Sequence, residues 1–338
     1  MYKVFIDGAH GTTGLEIRER LAGRDDIEVI EIEEDLRKDL NARAEIAGRA
    51  DVTMMCLPDA ASKELAEVLP PDVRVIDTST AHRVDPGWVY GMPELTSGMR
   101  DEIRNASRVA NPGCHATGFI LLARPLVDAG LIPADAVLSC FCITGYSGGG
   151  RKMIEDYDLK HAELLAEADF ITDQKPAGMN TSGPAEFAVS PVQYAISQSH
   201  KHLPEMKMMS GLNKEPVFCP VVGDYFRGMV MTIELPREMV NEEAHAGESL
   251  IESIREVYRK RYEREPLIRI TDGPENGFLY SNTMSMSDGF EIMVLGNDDR
   301  VLLVSRFDNL GKGASGAAVQ NLNIMLGIDE TKGLKICF

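Results

Sequence analysis

Cys114 has the setting in this 338-residue chain that most favours nucleophilic chemistry. It directly follows the turn sequence Asn111-Pro-Gly and precedes the apolar run Phe119–Val127. We therefore predict a strand, a turn and a helix, with the sulfur at the helix N-terminus. The amides and the helix dipole at that position favour the thiolate, which is the form that attacks. A buried cysteine that acts as a small apolar residue is the alternative interpretation.

The segment Ser199-His-Lys-His-Leu-Pro-Glu205 offers a base for such a nucleophile. It brings two imidazoles, His200 and His202, and the carboxylate of Glu205 onto one short loop. A His-x-His pair by itself is more often structural than catalytic, and either ring could be the base. Because the same chain carries a cysteine at a helix entry, we predict that this loop supplies the base.

The segment Thr144-Gly-Tyr-Ser-Gly-Gly-Gly-Arg-Lys152 has the composition of an anion site. It combines backbone amides, the Ser147 hydroxyl and the two cations Arg151 and Lys152. A flexible turn without a ligand is the alternative.

A glycine-rich loop stands near the start of the chain, between the predicted strand Tyr2–Ile6 and the predicted helix Leu15–Leu21. Its GxxGxxG spacing is a variant of the dinucleotide-binding pattern, in which the backbone approaches a pyrophosphate at a helix N-terminus. We predict that this loop binds a dinucleotide, and a glycine-rich turn without a ligand is the alternative. The candidate cofactor-binding residues of the loop are Gly8, Gly11, Thr12, Thr13 and Gly14.

The charged segment Glu31–Lys38 after the second predicted strand leaves the cofactor open. Glu31 or Glu33 would suit a ribose 2′-hydroxyl, whereas Arg37 and Lys38 could hold a 2′-phosphate. Solvated charges at a helix entry are the third interpretation.

The elements that position these residues alternate between strand and helix in the first part of the chain. Strand-like runs at Ile27–Ile32, Val52–Leu57 and Val73–Asp77 surround the helical run Ala60–Leu69. This alternation predicts a parallel sheet covered by helices, with the ligand at the carboxyl ends of the strands. Pro58 and Ser79 lie in loops at those ends, and we expect them to face the cofactor.

The pattern changes after the helix that begins near Cys114. Only one long helical pattern, Glu242–Tyr262, stands among the later strands, which predicts an α+β unit with a mixed or antiparallel sheet. The strand-like segments are Ala136–Ile143, Val189–Ile196, Val217–Val222, Gly228–Leu235, Phe290–Leu295 and Val301–Phe307.

The predicted fold class is α/β, with an N-terminal Rossmann-type parallel-sheet domain and an α+β domain for catalysis and dimerisation. We place the first domain at residues 1–113, completed by a C-terminal helix, 309–338, and the second at residues 114–308. An exposed sheet in the second domain would favour a homo-oligomer, a dimer or a tetramer.

Composition excludes several classes of partner. The formal net charge of −18, without a block of basic residues, argues against nucleic acid or an anionic membrane as a partner.

The six cysteines show no CxxC pairing, so we expect neither a metal site nor a disulfide framework. No run reaches the length of a membrane span and the first residues lack a signal-peptide pattern, so we expect a cytoplasmic protein.

Together these motifs resemble those of the N-acetyl-gamma-glutamyl-phosphate reductases, in their short form, within the semialdehyde dehydrogenase superfamily. The resemblance spans nearly the whole chain, and its most specific part is the Asn-Pro-Gly-Cys segment. It rests on Gly8-x-x-Gly-x-x-Gly14, Asp77-Thr-Ser-Thr-Ala-His-Arg83, Tyr90-Gly-Met-Pro-Glu94, Asn111-Pro-Gly-Cys-His-Ala-Thr-Gly118, Gly145-Tyr-Ser-Gly-Gly-Gly150, His200-Lys-His-Leu-Pro-Glu205 and Asp308-Asn-Leu-Gly-Lys-Gly313.

The resemblance implies an arginine-biosynthesis enzyme that uses NADPH to reduce an acyl phosphate through a cysteine thioester. It implies Cys114 as the nucleophile and His202 as the acid/base, with Glu205 near it. It further implies inorganic phosphate as a product. Candidates for binding the substrate and the phosphate are Ser147, Gly148, Gly149, Arg151 and His200, and Asn309 is a further candidate for the cofactor.

Two other functions share these features. An aspartate-semialdehyde-type dehydrogenase would use the same chemistry on another acyl chain. A non-catalytic dinucleotide sensor would keep the glycine loop without a reactive thiol. The sequence also leaves open whether the amino group of the substrate is acetylated or bound to a carrier protein.

Overall fold

The computed structural model of the chain describes residues 1–172, 190–244 and 249–338. Within these residues the strands form two sheets, here called sheet A and sheet B. Sheet A comes from residues 2–110 and sheet B from residues 139–307.

Sheet A is parallel throughout and has helices packed on it. Its strands are β1 (Tyr2–Asp7), β2 (Ile27–Ile30), β3 (Val52–Met55), β4 (Val75–Asp77), β5 (Val89–Tyr90) and β6 (Arg108–Ala110). The helices between them are α1 (Thr12–Leu21), α2 (Leu40–Ala47), α3 (Asp59–Val68) and α4 (Met99–Asn105). The strand order is β2-β1-β3-β4-β6-β5. All four residues of β3 are buried, as expected for a strand covered on both faces. The predicted parallel sheet is confirmed.

Sheet B is mixed, as predicted. Its strands are β7 (Ser139–Gly145), β8 (Val192–Gln193), β9 (Val217–Gly223), β10 (Met229–Pro236), β11 (Ile268–Thr271), β12 (Phe290–Asn297) and β13 (Arg300–Phe307). Their order is β11-β12-β13-β10-β7-β9-β8. The pairs β7/β9 and β11/β12 are parallel, and the other pairs are antiparallel.

The remaining helices are α5 (Cys114–Asp128), α6 (Gly150–Thr172), α7 (Leu203–Ser210), α8 (Leu250–Tyr262) and α9 (Gly316–Leu326). Helix α5 packs against β10, β13 and α8 and is apolar along most of its length. One continuous cluster of buried side chains includes Met54 of sheet A, Phe119 of α5 and Ile233 of sheet B. The two sheets therefore share one core, which fixes their relative position.

Helix α9 returns the end of the chain to sheet A. It contacts β3, β4, α1 and α4, and each of its residues is buried. Its polar residues are paired: Asn321 donates to the carbonyl of Gly91 at 2.8 Å and to Oδ1 of Asn111 at 3.1 Å. A wide π turn, Gly311–Ser315, leads into it. The helix ends at Leu326, followed by Gly327 in the left-handed region, so the predicted helical region 309–338 is shorter than expected.

One long helix was not predicted, and two predicted elements differ in their bounds. The long helix α6 was not predicted, because Thr144–Lys152 suggested a turn; it starts at Gly150 after the 3₁₀ turn Tyr146–Gly149. Helix α8 was predicted to start at Glu242, but it starts at Leu250. Ser249 caps it, because the hydroxyl of Ser249 accepts a hydrogen bond from the amide of Glu252.

The predicted strand Val189–Ile196 is described only in part. It is reduced to Val192–Gln193, and Val189 lies outside the described residues. In the described ranges, no helix combines the length and the apolar character that crossing a membrane requires.

Candidate active site

A cleft opens beside the N-terminus of α5, where sheets A and B meet. It is lined by Cys114 and by residues of several segments that are far apart in sequence. These include Thr12 and Thr13, Thr78 and Arg83, Asn111–His115, Thr144 and Gly145, Ser147–Gly150, Tyr194, His200–His202, Asn309 and Leu310, and Gly313 and Ala314.

Cys114 is the first residue of α5, with Gly113 as the extended N-cap, so the predicted strand, turn and helix are confirmed. Gly113 has no room for a side chain. A Cβ there would lie 2.3 Å from Nη1 of Arg83 and 2.4 Å from Nε2 of His202. This glycine therefore allows a guanidinium and an imidazole to approach the backbone next to the sulfur.

The thiol of Cys114 does not show the lowered pKa expected from the helix N-terminus. Burial raises the pKa of Cys114 to about 11, although the positive charge of Arg83 acts in the opposite direction. The expectation is therefore wrong for this structure, because removing an anion from water outweighs the dipole and the nearby cations. The residue remains partly accessible from the cleft.

His115, the next residue, is the imidazole in contact with the sulfur. Its Nδ1 lies 3.4 Å from Sγ of Cys114, and its Nε2 lies 3.0 Å from the hydroxyl of Tyr194. Burial lowers the pKa of His115 to about 3, so the ring is neutral at physiological pH. Neither His115 nor Tyr194 was predicted as a site residue. For His115 the signal was its adjacency to Cys114, and for Tyr194 we find no signal in the sequence.

The structure brings both predicted histidines into the cleft. The ring of His202 lies 5.3 Å from that of His115 and 4.8 Å from that of His200, measured between centroids. His202 is buried, and burial holds its pKa well below the usual range. Its Nδ1 is buried without a hydrogen-bond partner among the described residues. Nδ1 of His200 accepts from the amide of His202 at 3.3 Å, so the proton of a neutral His200 ring lies on Nε2.

Glu205, which the resemblance places near the acid/base His202, is hydrogen-bonded to groups outside the segment Ser199–Glu205. Its carboxylate accepts hydrogen bonds from the amide of Gly113 at 2.8 Å, the hydroxyl of Tyr90 at 2.7 Å and Nη1 of Arg83 at 3.2 Å. Among the described residues, no hydrogen bond joins it to His202. The segment predicted as a loop becomes helix α7 after His202, and this places Glu205 in its first turn. Glu205 therefore holds the backbone before Cys114 and does not orient the imidazole.

Arg83 is a buried cation that the sequence analysis did not assign. Besides Glu205, its guanidinium donates to the carbonyls of Asn111 at 2.9 Å and Thr78 at 3.0 Å. It thereby joins the loop after β4, the turn before α5 and helix α7. Its position at the end of the segment Asp77–Arg83, beyond a parallel strand, was the available signal.

The predicted anion loop contributes only part of its residues to the cleft. Gly148 and Gly149 line it beside Ser147, whose hydroxyl accepts from Nδ2 of Asn309 at 3.0 Å. Oδ1 of Asn309 in turn accepts from the amide of Gly228 at 2.8 Å. Asn309, predicted to bind the cofactor, thus supports the Ser147 turn and also lines the cleft.

Arg151 lies outside the cleft. It is on the exposed side of α6, where it pairs with Glu155 at 2.7 Å, and its side chain is 75% exposed. It lines a separate surface pocket with Leu15. Because α6 begins at Gly150, Arg151 projects away from Cys114. The exposed cation that lines the cleft is Lys201.

A second pocket adjoins the cleft at the glycine loop and is here called the glycine-loop pocket. The φ angle of Gly8 is +86°, and a Cβ there would lie 2.3 Å from the carbonyl oxygen of Cys56. A Cβ at Gly14 would lie 2.4 Å from the carbonyl oxygen of Gly8, whereas one at Gly11 would make ordinary contacts. The pocket is lined by Ile6–Gly11, Arg18, Val29–Ile32, Glu34, Arg37 and Cys56–Pro58.

The charged side chains at the exposed rim of this pocket are paired with one another, whereas Asp7 pairs with the buried Arg43. Arg37 pairs with Glu34 at 2.8 Å, and Arg18 pairs with Glu31. Arg37 lines the pocket and Lys38 does not. Arg18 was not predicted as a residue of this pocket. The available signal was its position on the helix that follows the glycine loop, close to the second strand.

The other two predicted cofactor residues differ in placement. Pro58 lines the glycine-loop pocket, as expected for a loop at the end of β3. Ser79 is buried, and its hydroxyl donates to Asp77 at 2.7 Å. Within the part of the chain that the structure describes, no group of three or more His, Cys, Asp or Glu side chains could hold a metal ion.

Comparison with known proteins places the chain among semialdehyde dehydrogenases. The NAD binding domain of semialdehyde dehydrogenases matches residues 30–106. The semialdehyde dehydrogenase dimerisation domain matches residues 114–168 and 177–309.

Curated relatives extend the similarity to nearly the whole chain. The N-acetyl-gamma-glutamyl-phosphate reductases of Brucella suis and Brucella ovis are each 41% identical over 333 residues. The alignments cover 96% of this chain and 99% of each relative.

Solved structures show the same fold at low sequence identity. Aspartate semialdehyde dehydrogenase from Francisella tularensis has a TM-score of 0.69 and 14% identity, covering 96% of this chain and 100% of that one. Aspartate semialdehyde dehydrogenase II from Vibrio cholerae, complexed with ASA, has a TM-score of 0.66 and 18% identity, covering 97% and 98%.

Proposed function

The chain belongs to the N-acetyl-gamma-glutamyl-phosphate reductase family of semialdehyde dehydrogenases, and from this membership we propose its reaction. It catalyses the NADPH-dependent reductive dephosphorylation of N-acetyl-gamma-glutamyl phosphate to N-acetyl-glutamate 5-semialdehyde, in arginine biosynthesis. The observation that carries the proposal is the position of Cys114, at a helix N-terminus in a cleft that adjoins a glycine-loop pocket.

The glycine loop fits a dinucleotide. Glycines at Gly8 and Gly14 let the loop pack tightly against the carbonyls of Cys56 and Gly8, and this compact loop leads directly into the N-terminus of α1. A helix N-terminus of this kind supplies backbone amides that suit a pyrophosphate. The residues that would hold the dinucleotide are Gly8, Gly11, Thr12, Thr13, Gly14 and Pro58. When bound, the dinucleotide supplies the hydride.

The covalent step belongs to Cys114. Its thiolate attacks the acyl carbon of the acyl phosphate, a C–S bond forms, and the C–O bond to phosphate breaks. The resulting thioester accepts a hydride at the same carbon, and the C–S bond then breaks to release the aldehyde and regenerate the thiolate. The amide of His115, which shifts the pKa of Cys114 downward, belongs to the same helix terminus that can stabilise the oxyanion.

His202 is the proposed acid/base. Its ring is neutral, because burial lowers its pKa, and its Nε2 lies beside the backbone of Gly113, next to Cys114. It can take the thiol proton that must leave before attack and return it to the released phosphate. His200, with its proton on Nε2, is placed to donate a hydrogen bond to a bound acyl group or phosphate.

The phosphate and the substrate anion meet Ser147, the amides of Gly148 and Gly149, His200 and Lys201. We assign the cation of this site to Lys201 and not to Arg151, because Arg151 lies outside the cleft and Arg83, which also lines it, is paired with Glu205. Since the net charge of the chain is −18, this local cation is needed to offset a repulsive overall field.

The proposed cofactor is NADP, with Arg37 on the 2′-phosphate. Arg37 and Arg18 are the cations that line the glycine-loop pocket in the described part of the chain. A 2′-phosphate would replace Glu34 as the partner of Arg37, and Arg18 lies on the adjoining side of the pocket. Lys38 is not assigned to this contact.

The domain organisation and assembly follow the two sheets. We assign residues 1–113 with helix α9 to cofactor binding and residues 114–308 to catalysis and self-association, in the cytoplasm. One face of sheet B packs on α5, while its other face presents partly exposed apolar side chains, among them Phe141, Val217 and Leu302. A second copy of the chain covering this face would form a homodimer.

The experiment that tests the reaction traps the acyl-enzyme. Incubation with the acyl phosphate and without the dinucleotide should add the acyl mass to the peptide that contains Cys114, and Cys114→Ala should abolish both the adduct and turnover. Binding of NADP to Cys114→Ala should stay within about twofold of the wild type, because the glycine loop folds with sheet A. An adduct on another cysteine would overturn the mechanism.

A substrate panel tests the acyl chain, since solved structures of the same fold are named aspartate semialdehyde dehydrogenases. In the phosphate-dependent reverse reaction, N-acetylglutamate semialdehyde should be turned over faster than aspartate semialdehyde. The opposite preference would assign the chain to the second activity. No turnover with either substrate, together with dinucleotide binding, would indicate a sensor.

A further inference from the structure

The contact between Cys114 and His115 is not used by the proposed acid/base step, which belongs to His202. Sγ of Cys114 and Nδ1 of His115 are 3.4 Å apart, and Nε2 of His115 and the hydroxyl of Tyr194 are 3.0 Å apart. These contacts connect three side chains in a line, from the nucleophile to a residue that lines the cleft opening.

The protonation states in this line follow from elementary hydrogen bonding. A thiolate can only accept, so when Cys114 is ionised Nδ1 of His115 must carry the proton of the contact. A neutral ring then has Nε2 as an acceptor, and the hydroxyl of Tyr194 must donate to it. The three groups therefore have a single consistent arrangement once the thiolate has formed.

From this geometry we propose that His115 is a neutral hydrogen-bond donor that stabilises the Cys114 thiolate, and that Tyr194 is a positioning residue that fixes the tautomer of His115. The inference rests on the nucleophilic role of Cys114 in the proposed function. It separates two tasks, because His115 stabilises the anion whereas His202 moves the proton.

The surroundings favour a neutral donor over an imidazolium. His200 and Lys201 face His115 from the segment before α7, and both disfavour a second positive charge, in addition to burial. Phe218 of β9 packs against the ring, with centroids 5.2 Å apart. The hydroxyl of Tyr194 stays protonated, because burial and the nearby Cys114 and Cys142 raise its pKa.

Other charged groups act on the sulfur itself. Arg83 and Lys201 favour the thiolate, and Glu205 of α7 opposes it. These groups remain in place when His115 or Tyr194 is changed, so their influence is common to the wild type and the variants. A difference between variants therefore reports on the line of contacts.

The test uses alkylation of Cys114 by iodoacetamide in the full-length protein without substrate. The rate is measured from about pH 6 to about pH 10, and peptide mass mapping assigns the label to Cys114, since only the thiolate reacts. His115→Asn and His115→Leu form a matched pair of nearly equal shape. The asparagine amide can still donate to Sγ, and the leucine side chain cannot.

We expect His115→Leu to slow alkylation about tenfold throughout the measured pH range, because a hydrogen bond to a charged group is lost and less thiolate is present at each pH. His115→Asn should stay within about threefold of the wild type, because a donor remains. Tyr194→Phe should slow the reaction about threefold, because the donor tautomer is no longer fixed.

Several results would overturn the inference. One is a wild-type profile for His115→Leu, and another is an equal loss in both His115 variants, which would indicate a packing role alone. Because Tyr194 is only partly buried, Tyr194→Phe should fold even if His115→Leu does not. A wild-type pH profile for Tyr194→Phe would show that Tyr194 does not fix the tautomer of His115. Circular dichroism and NADP binding serve as folding controls.

The readout is independent of the substrate. If turnover fails on every acyl phosphate while the His115 variants behave as expected, the reaction is misassigned and the thiolate argument stands. If turnover is found and the variants behave as the wild type, only this inference fails.

Discussion

The glycine-loop pocket and the cleft around Cys114 are built in different ways. The pocket is marked in the sequence by one contiguous stretch, Gly8–Gly14, whose close approaches involve backbone atoms. Its other walls come from Arg18, Val29–Ile32, Glu34, Arg37 and Cys56–Pro58. The cleft takes its geometry from side chains of segments far apart in sequence, as when Glu205 holds the amide of Gly113 and the hydroxyl of Tyr90. A local site is recognisable from its spacing alone, whereas an assembled site depends on pairings that only the fold determines.

The difference also concerns stability. Around Cys114, the buried ion pair of Arg83 with Glu205 connects two parts of the chain and has little contact with water. In the glycine-loop pocket, the pairs Arg37–Glu34 and Arg18–Glu31 are largely exposed. Changes in the cleft should therefore affect folding and chemistry together, and changes in the pocket should mainly affect dinucleotide binding.

The largest effect should come from breaking the buried pair. Glu205→Gln leaves Arg83 without a counter-ion, and we expect the free energy of unfolding to fall by about 3 kcal/mol in urea denaturation. The matched control is Glu155→Gln, which removes the exposed partner of Arg151 and should cost less than about 1 kcal/mol. Equal costs for the two variants would contradict the distinction between the sites.

The next effect separates chemistry from binding. His202→Asn keeps a polar side chain but removes the base, so kcat should fall about a hundredfold while the Kd for NADP changes by less than about twofold. His200→Asn should reduce kcat by less, within about tenfold, because its role is to bind. A larger loss of kcat for His200→Asn than for His202→Asn would make His200 the acid/base and His202 the binding residue.

The third prediction addresses the pocket alone. In Gly14→Ala the added methyl would lie 2.4 Å from the carbonyl oxygen of Gly8 and must displace the loop. We expect the Kd for the dinucleotide to rise about tenfold or more and alkylation of Cys114 to stay within about twofold. Gly11→Ala, where the methyl has space, is the control for folding and should lower stability less than Gly14→Ala. Slower alkylation in Gly14→Ala would show that the two sites are not independent.

The fourth prediction compares two cations of the catalytic side. Lys201→Ala should raise KM for phosphate in the reverse reaction about tenfold, because Lys201 lines the cleft. Arg151→Ala should change that KM by less than about twofold, since Arg151 lies on the outer side of α6. A larger increase in KM for Arg151→Ala than for Lys201→Ala would assign phosphate binding to Arg151.

The smallest effect concerns the choice of dinucleotide. Arg37→Ala should weaken NADP about fivefold and NAD less than about twofold, because only NADP carries the 2′-phosphate. Lys38→Ala should leave both within about twofold, as it does not line the pocket. Tighter binding of NAD than of NADP to the wild type would assign Glu31 to the ribose instead.

Much of this organisation could be predicted from local patterns. The parallel sheet, the mixed sheet and the helix that begins at Cys114 each follow from periodicity or turn chemistry within short windows. The helix α6 was missed because Gly148, Gly149 and Gly150 suggest a turn, although the helix begins at the last of these glycines.

The partners of the site residues could not be predicted in the same way. Nothing near Glu205 in the sequence indicates that it pairs with Gly113, which is 92 residues away. The raised pKa of Cys114 depends on burial in the folded cleft, and a helix N-terminus read from the sequence predicts the opposite direction. The contact of Tyr194 with His115 spans 79 residues.

Helix α9 affects how the chain can fold during its synthesis. Chains fold in the order in which domains leave the ribosome, with the N-terminal domain first. Sheet A leaves first, but α9, whose residues are all buried against it and its neighbours, is translated after sheet B. Until then β3 and β4 of the nascent chain lack the helix that packs on them, and their apolar side chains are open to chaperones or to other chains. The part of the protein that is translated first is therefore the part whose core is completed last.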